Sequence, residues 1–173
     1  PHWRSGAGQP QQVMLPTDDA ALRAARIVAF AVPFALLGGA YVSQYGFGLF
    51  PCEMCWWQRY PHFAALVLAA VALLRPPGRA LVALAAMAIA VSGAIGLFHA
   101  GVEYGWWEGL TACTASTPTG ANALDAIMGA PLVRCDVAPW TLFGVSLAGF
   151  NFLFSTAGAL LVFALLARAK EKA

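Results

Sequence analysis

Two cysteines three residues apart, Cys52 and Cys55, stand in the stretch Pro51-Cys-Glu-Met-Cys-Trp-Trp-Gln-Arg-Tyr-Pro61, between two prolines at the mouth of an apolar segment. Pro51 suits the first position of a helix, because its missing N–H has no partner to lose there and its φ is already helical. That expectation places both thiols in a first helical turn, where unpaired backbone N–H groups and the positive dipole end favour a thiolate. At helical spacing Cys52, Cys55, Arg59 and His62 are offset by three, seven and ten residues and share one face. A cation one turn below the second thiol can stabilise its charge and donate to an oxygen of a bound molecule.

The chain has two more cysteines, Cys113 and Cys135, separated by a stretch rich in Thr, Ser and Pro. One pair at a helix start and one in a long loop suggest a thiol–disulfide relay, in which the mobile pair meets a soluble protein and exchanges with the fixed pair through a mixed disulfide. The fixed pair must then hand on two electrons. There is no Cys-x-x-Cys-His, because Trp56 follows Cys55, and no Gly-x-Gly-x-x-Gly, so neither haem attachment nor dinucleotide binding is signalled. A lipid-soluble two-electron acceptor, a quinone, fits instead, with Arg59 placed to reach a quinone oxygen.

The setting that these residues require is a membrane. Of 173 residues, 60% are apolar and only 10% charged, with a mean hydropathy of +0.69, outside the range of soluble domains. Predominantly apolar runs near the roughly 20 residues needed for a crossing occur at Ile27–Tyr45, Trp56–Leu74, Ala80–Phe98 and Trp140–Leu166. The second reaches full length only by including Trp56, Trp57, Tyr60 and Arg59, the last of which could snorkel. Arg23 and Arg26 precede the first run, Arg75 and Arg79 flank the turn between the second and third, and Arg168, Lys170 and Lys172 follow the fourth. The positive-inside rule makes those segments cytoplasmic and puts all four cysteines on the opposite, disulfide-permissive side. The net charge of +2 follows from this topology and carries no signal for nucleic acid.

The expected fold is therefore an all-α membrane protein: a four-transmembrane-helix bundle with a long periplasmic loop carrying a short interfacial helix over Asn122–Met128, where Leu124, Ile127 and Met128 share a face. Residues 1–22 read as a flexible cytoplasmic tail and not a cleaved signal peptide, 23–168 as the four-helix thiol oxidoreductase domain, and 169–173 as a cytoplasmic C-terminal tail. Asp18 and Asp19 could cap the first helix. Gly39 with Ser43, the set Ala88, Ser92 and Gly96, and Gly144 with Ala148 have the spacing of close helix contacts. Asn151 is expected to make an interhelical hydrogen bond. Trp106, Trp107 and Trp140 are expected at the membrane interface. His99 and Glu103 lie four apart at the outer boundary.

Read together, Pro51 to Pro61, then Phe98-His-Ala-Gly-Val-Glu103 with Trp106 and Trp107, then Arg134-Cys-Asp136 and Trp140-Thr-Leu-Phe-Gly-Val-Ser-Leu-Ala-Gly-Phe-Asn151 resemble the bacterial disulfide-bond formation protein B family. The resemblance runs from the first span to the fourth. It implies a bacterial inner-membrane protein with both termini cytoplasmic, reoxidising a periplasmic thioredoxin-like thiol:disulfide oxidase and passing electrons to the membrane quinone pool, as ubiquinone or menaquinone. It further implies that Cys113 forms the mixed disulfide with that partner, that Cys135 exchanges with Cys52, and that Cys55 lies against the quinone with Arg59 beside it. The quinone-binding set becomes Cys55, Arg59, His62 and His99, and no metal is called for.

Two other readings compete. A vitamin K epoxide reductase-like enzyme shares the four-helix plan, but there the loop pair precedes the Cys-x-x-Cys, the reverse of the order here. A non-enzymatic subunit would use the cysteines as zinc ligands or as inert staples; Cys113 and Cys135 are too far apart for a typical zinc site, and a Cys-x-x-Cys disulfide closes almost no loop.

Overall fold

The computed structural model of the chain describes residues 20–76, 78–114 and 133–169. Four helices make the bundle: α1 (Ala20–Phe47), α2 (Glu53–Leu74), α3 (Arg79–Glu103) and α4 (Leu147–Arg168). α3 packs along α2 and α4, and α1 closes the opposite side against the same two helices. Three helices, α1, α3 and α4, are long and apolar enough to cross a membrane. α2 falls short of that composition because Gln58, Arg59 and His62 interrupt it, and all three side chains are buried inside the bundle. Arg59 is turned inward, so it does not snorkel. The expected interfacial helix at Asn122–Met128 and the caps at Asp18 and Asp19 lie outside the described residues.

The core is built mainly of small side chains. Ala25, Ala29, Ala65, Ala69, Ala72, Ala85 and Ala86 are buried at the helix contacts, while Phe34, Val67, Met87, Phe154 and Leu160 point outward. In lipid, large apolar groups gain little by turning inward, so helix association depends on close packing of small residues. α3 and α4 meet at Gly93 and Gly96, and a Cβ on Gly96 would lie 3.0 Å from Ala148 O, Asn151 Nδ2 and the Phe152 backbone nitrogen. Gly39 behaves differently from its expected contact role: nothing lies within 4 Å of its would-be Cβ, and with Ser43 it lines a cavity.

Several ends of elements depart from the sequence expectation. Cys52, not Pro51, opens α2; it is the N-cap, with extended backbone, and its sulfur accepts the Cys55 N–H in the manner of a capping oxygen. Pro51 therefore stands outside the helix, where its lack of an N–H costs nothing. α3 runs to Glu103 and carries His99 and Glu103 on its last turns. It ends in a Schellman motif, with Gly105 at φ 69°, the Gly105 N–H on Val102 O and the Trp106 N–H on Gly101 O. The fourth helix starts at Leu147 and not near Trp140, because Thr141–Leu142 (β1) and Val145–Ser146 (β2) pair as an antiparallel hairpin. Its two turn residues, Phe143 and Gly144, both have positive φ, 52° and 79°, as a two-residue turn of the I′ type requires. Gly144 is thus a turn residue and makes no helix contact with Ala148.

Tyr104 ties the hairpin to α3. Its hydroxyl donates to Gly144 O at 3.0 Å and accepts the Ser146 N–H at 2.9 Å. Trp107 folds back over α3, donating from Nε1 to Phe98 O at 2.8 Å. At the opposite end, Arg79 donates to Leu166 O and Ala169 O, capping α4 beside Arg168. The helix order therefore places the cysteine-bearing segments at one end and Arg23, Arg26, Arg75, Arg79 and Arg168 at the other.

Gly96→Ala is expected to lower stability by about 1–3 kcal/mol, since its neighbours are backbone and a buried amide that cannot swing aside, whereas Gly39→Ala is expected to be neutral. Thermal unfolding of both variants in the same detergent checks this; equal melting temperatures would mean that the α3–α4 contact is looser than described.

Candidate active site

All four cysteines belong to one buried apolar cluster with Met54 and Val102. Cys113 and Cys135 form a disulfide, and Cys52 and Cys55 are free thiols. Cys52 stands at the junction: its sulfur is 2.8 Å from Cys55 Sγ and 3.6 Å from His99 Nε2. Cys52 Sγ, Cys135 Sγ and a His99 ring nitrogen all lie within 4.8 Å of one another. Because Cys135 is committed to a disulfide, the trio offers a metal only one thiolate and one imidazole. The geometry is instead that of a thiol beside a disulfide.

The two free thiols precede the apolar run that begins at Trp56, and one hydrogen bond joins them. The Cys52 S–H donates to Cys55, which raises Cys52 further together with its burial and the neighbouring negative charge of Cys55. The same hydrogen bond lowers the Cys55 thiol, against a burial cost, with smaller help from the helix start and from Arg59. Cys55 is therefore the thiol of the pair that ionises more readily. On the loop side, the Thr111 hydroxyl donates to Cys113 Sγ at 2.9 Å and lies 3.7 Å from Cys135 Sγ, so a hydroxyl is already in place for a thiolate released by either. Arg134 pairs with Asp136 next to Cys135, and that exposed pair holds the Asp136 carboxyl below its usual range.

Beyond Cys55 a cavity of about 470 Å³ opens among α1, α2, α4 and the hairpin. Its walls are mainly apolar, including Leu36, Phe50, Trp140 and Phe154, and its polar lining residues are Ser43, Cys55, Gln58, Arg59, His62, His99, Glu103 and Asn151. Such a mix is typical of small-molecule sites. Arg59 is held against α1 by Gln44 Oε1 at 2.8 Å and Ala40 O at 3.3 Å, and its guanidinium lies over the rings of Tyr41 and Trp56 at 5.0 and 4.9 Å. Two of its five N–H donors are used by these oxygens, leaving others for a ligand. His62 and His99 lie at two ends of a buried chain: Gln58 Nε2 to His99 Nδ1 at 2.8 Å, Asn151 Nδ2 to Gln58 Oε1 at 2.8 Å, and His62 Nε2 to Asn151 Oδ1 at 2.9 Å. Ser92 donates to Gln58 O, and Ser155 to Asn151 Oδ1.

The structure brings Cys52, Cys55, Arg59, His62 and His99 together around the helix start, with Cys135 against Cys52 and Cys113 behind it. Asn151 makes the interhelical hydrogen bonds expected of it. Gln58 and Thr111 were not among the sequence candidates. Gln58 lies three residues after Cys55 and four before His62, on the face already marked by the cysteines, so the spacing could have found it. For Thr111 only its place two residues before Cys113 was available.

The profile of the family described as disulfide bond formation protein DsbB matches residues 22–165. The chain belongs to the DsbB family. No curated protein and no solved structure matches it significantly. As a DsbB-family protein it is a membrane oxidoreductase of disulfide-bond formation, and the vitamin K epoxide reductase-like reading falls away with its reversed cysteine order.

Since the Cys52 S–H holds Cys55 low, alkylation of Cys55 in the reduced protein is expected to rise at a pH below the 9.0 of an ordinary thiol, where a lowered pKa leaves more thiolate. Cys52→Ala removes the donor and keeps the burial, so the midpoint should move upward. Mass-spectrometric readout of alkylation against pH decides it, and an unchanged midpoint would assign the effect to the helix start alone.

Proposed function

We propose that this protein reoxidises a periplasmic thioredoxin-like thiol:disulfide oxidase and passes the two electrons through Cys113–Cys135 and then Cys52–Cys55 to a membrane quinone. The observation that carries the reading is the position of the fixed pair: Cys52 faces the loop disulfide within 4.8 Å, and Cys55 lines the cavity. One pair touches both the donor side and the acceptor side.

The exchange steps follow from that order. A partner thiolate attacks Cys113, and Cys135 leaves as a thiolate beside the Thr111 hydroxyl. With the fixed pair oxidised, Cys135 attacks Cys52 and Cys55 leaves as a thiolate at the cavity wall. Cys113, freed when the partner's second thiol resolves the mixed disulfide, attacks Cys135 and releases Cys52. The Nε2–H of His99 stabilises negative charge on Cys52, and Thr111 does so on the loop pair; each is a charge-assisted hydrogen bond, worth about 1.5–3 kcal/mol.

The cavity fits a quinone head group in size and in chemistry, with apolar walls and the Arg59 guanidinium among its lining side chains. When bound, a quinone supplies the capacity to accept two electrons and two protons. Arg59, His62 and Cys55 would hold it; Arg59, fixed between Tyr41 and Trp56, orients it, and the apolar walls keep water from the Cys55 thiolate. On this reading α2 crosses the bacterial inner membrane with the other three helices, the arginine-rich end and both termini are cytoplasmic, and the cysteines are periplasmic. Residues 23–168 are the catalytic domain, flanked by cytoplasmic tails.

Cys135→Ser is expected to accumulate a mixed disulfide between Cys113 and a soluble periplasmic protein, visible on a non-reducing gel. Cys55→Ser should oxidise at most one equivalent of dithiol and then stop, because the fixed pair can no longer re-form. Structural disulfides predict instead a loss of thermal stability with no trapped partner. Steady-state oxidation surviving in Cys55→Ser, with nothing trapped in Cys135→Ser, would falsify the relay.

A further inference from the structure

Glu103 ends α3 with its side chain only 2% exposed, at the pole of the helix where the dipole opposes a negative charge. Its Oε1 lies 3.7 Å from His99 Nε2, and the Ser146 hydroxyl of the hairpin faces the carboxyl. Its Oε2 is buried and has no hydrogen-bond partner among the described residues. A buried carboxylate is normally ringed by donors, because an unpaired charge away from water is costly. Glu103 lacks that ring while standing beside two thiols.

Gln58 settles which proton His99 carries. Gln58 Nε2 is 3.2 Å from Met54 O and 2.8 Å from His99 Nδ1. A carbonyl only accepts, so the amide nitrogen faces both, and Nδ1 accepts from it. Neutral His99 therefore keeps its hydrogen on Nε2, between Cys52 Sγ at 3.6 Å and Glu103 Oε1 at 3.7 Å. The Cys135 carbonyl also borders the ring, but a neutral acceptor yields to a charged one. One N–H cannot fully serve two anions, so a thiolate on Cys52 and a carboxylate on Glu103 compete for it. A charge on Glu103 also acts directly against a thiolate at Cys52 and at Cys55. The other titratable or charged groups around Glu103 are Tyr104 beside it and Arg59, which borders the same cavity.

Counting protons exposes a shortfall. With Cys55 as thiolate and Cys52 as thiol, disulfide formation releases two electrons but one proton, whereas reducing a quinone to a hydroquinone takes two of each. We propose that Glu103 holds the second proton, being protonated while the Cys52–Cys55 pair is reduced and ionised once their disulfide forms. The inference rests on the quinone reading above. The balance is complete: the sulfurs supply both electrons, and Cys52 and Glu103 supply one proton each. The partner's dithiol, on becoming a disulfide, returns two electrons to the sulfurs and one proton each to Cys52 and Glu103. The site carries a single negative charge throughout, on Cys55 when reduced and on Glu103 when oxidised, where the His99 N–H is free to serve it.

The test is the midpoint potential of the Cys52–Cys55 couple against pH. It uses full-length protein with Cys113→Ser and Cys135→Ser, freed of quinone in detergent and equilibrated with dithiothreitol redox buffers. One proton per two electrons gives a slope of about 30 mV per pH unit, and two protons give about twice that. Above the Cys55 midpoint located by alkylation, the chain with Glu103 should show the two-proton slope and Glu103→Gln the one-proton slope. Reduced-minus-oxidised infrared spectra of the chain with Glu103 should show a protonated-carboxyl C=O band in the reduced form that shifts on ¹³C-glutamate labelling. These readouts on the chain with Glu103 stand even if Glu103→Gln does not fold. A one-proton slope with Glu103 present, a two-proton slope that survives Glu103→Gln, or no such band overturns the inference while the quinone reading stands, since no quinone takes part. Failure of a one-isoprenoid ubiquinone to oxidise the reduced pair overturns both.

Discussion

Polar side chains inside a bilayer have no water to turn to, and the arrangement of this bundle follows from that. Gln58, His62, Ser92, His99, Asn151 and Ser155 come from three helices and satisfy one another almost completely. Each interhelical hydrogen bond in a membrane is worth only about 0.6 kcal/mol on average, but breaking one strands a buried amide or imidazole. The network therefore acts less as glue than as a register pin. It fixes how far α2, α3 and α4 slide past one another, and so where His99 meets Cys52 and where His62 meets the cavity. The glycines of α3 make this possible, because the Asn151 amide lies against Gly96 with no room for a side chain.

A second constraint is the use of a sulfur as a helix cap. Cys52 accepts the Cys55 N–H and donates its own proton to Cys55, so the local structure of the helix start and the polarity of the thiol pair are one feature. The cap directs Cys52 toward the loop disulfide and leaves Cys55 on the cavity side. The Schellman turn at Gly105, the Trp107 stack on Gly101 and the Tyr104 clamp on the hairpin hold the outer end of α3 against these thiols. Few of the residues that shape the site are themselves reactive.

Much of this was legible in the chain. The apolar runs, the arginine placement and the two cysteine pairs led to a membrane helix bundle with thiols gathered at one end, and the quoted motifs led to the family. The misreadings have physical causes. Pro51 carried a strong preference for the first helical position, but the thiol's capacity to cap moved the boundary by a residue. The run from Trp140 is apolar enough to be read as helix, and only the positive φ at Phe143 and Gly144 separates a hairpin from a span; hydropathy is blind to that difference. Gly39 and Ser43 have contact spacing yet line a cavity, because a void depends on what neighbouring helices lack at that level. Gln58 went unnoticed because a glutamine's role is set by partners 34 to 93 residues away in sequence.

The central claim is that the fixed pair and the loop pair meet at Cys52 and Cys135. A double variant, Cys55→Ser with Cys113→Ser, leaves only those two cysteines, and mild oxidation of the folded protein in a membrane or detergent is the direct measurement. The account predicts rapid formation of an intramolecular Cys52–Cys135 disulfide, identified by peptide mapping under non-reducing conditions. Two thiols that stay free, or that cross-link only between chains, would contradict it.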